Sequence, residues 1–96
     1  MYSIKNDTIL HMASVDDIVD QMRCNPGGIH FADLCRVCDH YFGAARQRAT
    51  SHRVYRAPWQ GDPRVNIQNA KGMAKAYQIR QVLRAIERLQ YEDPAN

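Results

Sequence analysis

The 96-residue chain contains no apolar run approaching the length of a membrane span. Its first residues, Met1-Tyr2-Ser3-Ile4-Lys5-Asn6-Asp7, lack the basic-then-apolar order of a signal peptide. Residence in the cytoplasm, away from membranes, is therefore the expectation. No glycine-rich phosphate loop leads into a helix and no H-E-x-x-H signature occurs, so nucleotide-triphosphate, dinucleotide and zinc-protease chemistries lack their parts. Cysteine is scarce and odd in number, at Cys24, Cys35 and Cys38, which argues against a disulfide framework in a chain with no export signal. Cys35-Arg36-Val37-Cys38 has the C-x-x-C spacing of a redox or zinc site, with His30 and His40 near in sequence. The second pair that would complete a tetrahedral site is missing, however. Both thiols fall on the apolar face of a helix, where free cysteine serves as a small hydrophobe. Neither metal nor cofactor is expected. Repeats, low-complexity tracts and a disorder-type composition are also missing, and 45 % apolar residues suit a single domain, 1–96, with one modest core.

What is present is cationic charge, unevenly spread. Up to Gly43, Lys5, Arg23 and Arg36 stand against six aspartates, whereas from Ala44 to Gln90 ten Lys and Arg stand against Asp62 and Glu87. The overall +3 thus conceals a strongly basic second half, the field expected of a partner to a polyanion such as nucleic acid, or to an acidic protein. The concentration is greatest from Arg46 to Gln68, which holds five arginines, no lysine, one acid and the histidine His52.

Residues 1–13 show no clean period and read as an arm. Ser14, three residues before Asp17, caps a short helix over 14–24 carrying Val15, Ile18, Val19 and Met22, and Asn25-Pro26-Gly27-Gly28 stops it. Phe31, Leu34, Cys35, Cys38 and Phe42 line one face of a second helix, with Asp33, Arg36 and Asp39 facing away and Gly43 at its end. His40 lies off that face and reads as a surface histidine. Three strands are expected near 44–48, 51–57 and 64–68, with Pro58-Trp59-Gln60-Gly61-Asp62-Pro63 as a tight connection. In the third strand, Val65 and Ile67 alternate with Arg64, Asn66 and Gln68. In the second strand, Val54 and Tyr55 compete for the core. An inward Tyr55 puts His52, Val54 and Arg56 on the opposite face, and an inward Val54 reverses this. A loop over 69–76 carries Lys71 and Lys75. A last helix from about Tyr77 to Gln90 presents Ile79, Val82, Leu83, Ile86 and Leu89 as its buried stripe. The order α-α-β-β-β-α predicts a two-layer α+β fold, a three-stranded antiparallel sheet with helices on one face and the other free for a ligand.

Little machinery is needed to cut RNA, because the substrate's own 2′-hydroxyl can attack the adjacent phosphate. The protein must move protons, for which imidazole is suited near neutral pH, and must hold a phosphate gaining negative charge, for which guanidinium is suited. His52 amid Arg48, Arg53 and Arg56 has these types. A Ser-His-Asp arrangement is disfavoured, since Ser51 and His52 are strand neighbours pointing to opposite faces. By composition alone, a lone strand histidine is more often structural or solvated.

From Ser51-His52-Arg53-Val54-Tyr55-Arg56 onward the chain resembles the HicA family of bacterial toxins. The likeness continues through Val65-Asn66-Ile67-Gln68, Lys71-Gly72 and Lys75-Ala76-Tyr77-Gln78-Ile79-Arg80-Gln81-Val82-Leu83, and reaches back to Phe31-Ala32-Asp33-Leu34. It covers about two-thirds of the chain, Gly28 to Leu89, in order; residues 1–27 exceed what short members possess. The resemblance implies a fold like the double-stranded RNA-binding domain, an endoribonuclease acting on messenger RNA, and a cognate HicB-type antitoxin that masks the active site. It implies His52 as the catalytic residue and extends to Arg53, Arg56 and Lys75 as nearby basic positions; with Arg48, Ser51, Arg64 and Lys71 these form the expected RNA-binding set. The family usually has glycine just before the Ser-His pair, where this chain has Ala49-Thr50, and the added methyl at Ala49 is expected to attenuate cleavage. Two rival readings use the same cations: a non-catalytic RNA-binding module, and a basic docking face for an acidic protein anchored by Tyr55, Trp59 and Tyr77.

Overall fold

The computed structural model describes residues 13–48, 51–59 and 64–92. The arm expected over 1–13 therefore lies almost wholly outside the described residues, as do Ala49, Thr50 and residues 60–63 of the Pro58–Pro63 connection.

Helix α1 spans Val15–Cys24, and Ser14 caps it by accepting from the Asp17 amide at 3.2 Å. Asp16 and Asp17 in its first turn and Arg23 in its last complement the helix dipole. Ile18, Val19 and Met22 are buried. After a 3-10 turn at Pro26–Gly28, helix α2 spans Phe31–Phe42 and ends at Gly43. That glycine has φ 79°, costly for any residue with a Cβ, and donates its N–H to the Asp39 carbonyl at 3.1 Å. The buried face of α2 holds Phe31, Leu34, Cys35, Val37 and Cys38. Asp39 is exposed, as its spacing predicts, and its carboxylate also accepts a hydrogen bond from the Tyr55 hydroxyl at 2.7 Å.

Strands β1 (Gln47–Arg48), β2 (His52–Arg56) and β3 (Arg64–Ala70) form an antiparallel meander in sequence order. The expected loop over 69–76 is corrected. Asn69 and Ala70 prolong β3, and a two-residue strand β4 (Met73–Ala74) folds back on them, so the sheet has a short fourth member. The turn between them has Lys71 at φ 54° and Gly72 at φ 87°, the two positive values that a tight two-residue hairpin requires. The Asn69 side chain holds the turn by accepting from the Gly72 amide at 2.5 Å. On its other side β4 meets the lead-in to α2, through Ala74 N–H to Ile29 C=O at 2.8 Å and Phe31 N–H to Gly72 C=O at 2.9 Å. Helix α3 then runs Ala76–Glu92.

Register decides what each face carries. Tyr55 pairs with Val65 and Arg53 with Ile67. Tyr55, Val65 and Ile67 join one core cluster with Ile18 and Met22 of α1, Leu34 and Cys38 of α2, and Ile79, Val82 and Ile86 of α3. The three helices are thus gathered on one face of the sheet, in an α+β arrangement. Tyr55 wins the inner position and is fully buried, its ring 6.4 Å from that of Phe42. No helix among the described residues is long and apolar enough to cross a membrane.

Candidate nucleic-acid interface

With Tyr55 inward, strand alternation sends His52, Val54 and Arg56 to the outer face, beside their partners Gln68, Asn66 and Arg64. Arg56, Arg64, Asn66 and Gln68 are exposed and His52 is half-buried. Val54 is buried despite its place on this polar face, and it stands outside the core cluster.

At the His52 end, hydrogen bonds fix the arrangement. The Lys75 ammonium donates to the Gln68 side-chain oxygen at 2.9 Å, bringing a cation to the residue opposite His52. The Gln68 backbone N–H, which points away from β2, is taken by the side-chain oxygen of buried Gln78 at 2.8 Å. Gln78 in turn donates to the Tyr77 hydroxyl at 3.4 Å. The first turn of α3 is thereby tied to the edge of β3, and Lys75, just ahead of that turn, is carried with it. Ser51 is exposed, with its carbonyl accepting from Asn69 at 2.8 Å, and Lys71 is exposed at the hairpin tip beyond that end of the sheet.

Two of the expected RNA-binding residues lie elsewhere. Arg48 and Arg53 are paired to each other on the inner side. The Arg53 guanidinium lies 3.6 Å from the Asp39 carboxylate and 3.5 Å from the Tyr55 hydroxyl. Burial pushes the Tyr55 phenol well above its ordinary value; Arg53 opposes this, and donation to Asp39 adds to it. The phenol therefore stays protonated as the donor in this triad, with the sheet between it and the outer face. Burial also raises the Cys35 and Cys38 thiols, so the C-x-x-C pair is a pair of core residues with little thiolate. Among the described residues no three His, Cys, Asp or Glu side chains group as metal ligands.

The structure thus puts His52, Arg56, Arg64 and Lys75 on one face, with Lys75, Ser51 and Lys71 at the His52 end and the Arg56–Arg64 pair at the other. It adds Gln68, Asn66 and Gln78, which the sequence reading did not name as site residues. The first two were signalled by the polar alternation of β3. Gln78 carries no signal of its own, because its role depends on an open strand edge. Ala49 lies outside the described residues. No protein-family model, curated protein or solved structure matches the chain.

Proposed function

We propose that this chain is a metal-independent endoribonuclease, the toxin of a type II toxin–antitoxin pair, which cuts messenger RNA on the outer face of its sheet. The observation that carries the reading is the register that sets His52 on that face, opposite Gln68 and its bound Lys75, with Arg56 and Arg64 further along. The helices gathered on the other face are compatible with the double-stranded RNA-binding-domain-like fold that the HicA resemblance implies.

In this mechanism the RNA 2′-oxygen attacks the adjacent phosphorus. An O2′–P bond forms and the P–O5′ bond breaks, giving a 2′,3′-cyclic phosphate and a 5′-hydroxyl. His52 accepts the 2′-hydroxyl proton or protonates the departing 5′-oxygen. Lys75, at the His52 end, offsets the charge that builds in the transition state, while Arg56 and Arg64 hold phosphates further along the RNA. Of Tyr55, Lys75 and Ser51 as partners in the second proton transfer, Tyr55 is disfavoured by its engagement with Asp39. A HicB-type antitoxin that covers the outer face is the partner this reading supplies. Ala49 slows the enzyme, so Ala49→Gly is expected to raise the cleavage rate; an unchanged rate refutes that part.

Cleavage of an end-labelled single-stranded RNA in EDTA, by this chain and by His52→Ala, tests the reading. Loss of products in the variant supports it. Salt-sensitive RNA binding without products, in Ala49→Gly as well, identifies a binding module instead. The lack of any RNA affinity points to a face that docks an acidic protein.

A further inference from the structure

Between α3 and the edge of β3 that faces away from β2 lies a cleft of about 390 Å³. Its base is apolar, with Val65 and Ala85, and Trp59 forms one wall. Arg64, Arg84 and Arg88 rim it. The Arg88 guanidinium lies over the Trp59 ring, 4.5 Å from its centroid, and layers a planar cation on the indole. The strand edge is itself polar here. The Asn69 N–H goes to Ser51 and the Gln68 N–H to Gln78, so the backbone of Asn66, two residues before Gln68, also faces away from β2. Strand β4 reaches only Asn69 and Ala70, leaving Asn66 with no described strand beside it.

We propose that this cleft is a subsite for a nucleotide of single-stranded RNA lying a few positions from the cleaved phosphate. The inference rests on the RNA reading of the outer face and deepens it. The layered Trp59 and Arg88 give a base a planar stacking surface, Arg64 and Arg84 bind the flanking phosphates, and strand-edge amides reach the base edge or the ribose. Arg64 and Asn66 belong to both surfaces, since each is paired on the His52 face and each lines the cleft. The strand rise sets Arg64 about 14 Å from Gln68, the residue opposite His52. One strand can therefore run from His52 along the outer face and turn over the edge of β3 into the cleft. An acidic peptide would match the charge but would leave the stacking wall unused.

Trp59 is the only tryptophan in the chain, so its fluorescence reports on this cleft alone. The test titrates the full-length His52→Ala chain, which leaves RNA intact, with a decanucleotide and a trinucleotide, each end-labelled for an independent measure of binding. The decanucleotide is expected to shift the indole emission. Arg84→Glu, an exposed change on α3, is expected to remove that shift and weaken decanucleotide binding about tenfold, with trinucleotide binding unchanged. Decanucleotide binding that is equal in both chains, with emission unmoved, overturns the subsite and leaves the RNA reading standing. Equal weakening of both RNAs by Arg84→Glu overturns it as general electrostatics. Emission that responds to an oligoglutamate peptide but not to RNA overturns it in favour of an acidic polypeptide. The lack of RNA binding by any chain overturns the RNA reading and the subsite together.

Discussion

His52 and Tyr55 are three residues apart on one strand and serve opposite faces of the sheet. Tyr55 is fully buried, and its hydroxyl joins Asp39 of α2 to the sheet. Tyr55→Phe keeps the ring but leaves Asp39 and Arg53 short of a partner. Urea unfolding should show a loss of about 1–2 kcal/mol, while RNA cleavage proceeds at the wild-type rate. A cleavage defect would instead place the phenol in catalysis. The buried thiols and phenol also set a pH limit. Each has a folded-state value raised above its ordinary one, 9.0 for the thiols and 10.0 for the phenol. The folded state therefore holds protons that the unfolded chain releases. Their stabilising contribution is complete below the ordinary values and is lost as pH rises through the raised ones. The urea midpoint should begin to fall above about pH 9. With Cys35→Ala and Cys38→Ala together, the onset should move up towards the tyrosine range.

The elements were legible to different degrees. Helix α2 could be read to its last residue because its apolar period, its polar flanks and Gly43 agree. The Ser14 cap of α1 was legible for the same reason, since a local hydrogen bond follows from local spacing. Strand β2 was not, because Val54 and Tyr55 are adjacent and alternation cannot choose between them. The choice lies with Asp39, sixteen residues away, which offers the phenol an acceptor. The inward turn of Arg53 follows from the same carboxylate, and charge counting alone assigns that arginine to RNA. The β3–β4 hairpin was hidden because Lys71 is unusual at positive φ and β4 has only two residues. Gly72→Ala should cost roughly 1–2 kcal/mol in urea unfolding. It should also lower RNA affinity if the hairpin sets the position of Lys75. Helix α1 belongs to the core, with Ile18 and Met22 fully buried against α2 and α3. Met22→Ala is expected to cost about 2–5 kcal/mol, measured in the same way; a loss near zero would show that α1 is dispensable.

At the scale of the whole molecule, the helices occupy one face of the sheet and leave the other to polar side chains. The basic second half of the chain supplies both that face and the α3 cleft, whereas the acidic first half supplies α1 and α2 behind them. RNA binding should accordingly depend on salt. Three phosphate contacts from Arg56, Arg64 and Lys75 give a slope of log affinity against log salt near −2 for single strands. Lys75→Ala should reduce that slope by roughly 0.7. The most direct measurement compares cleavage, in EDTA, of an all-ribose RNA with that of a matched strand carrying one 2′-deoxy nucleotide at the cut site, using wild type and His52→Ala. The account predicts that wild type leaves a 2′,3′-cyclic phosphate on the ribose strand and spares the deoxy position, and that His52→Ala spares both. Cleavage at the deoxy position, or undiminished cleavage by His52→Ala, would contradict it.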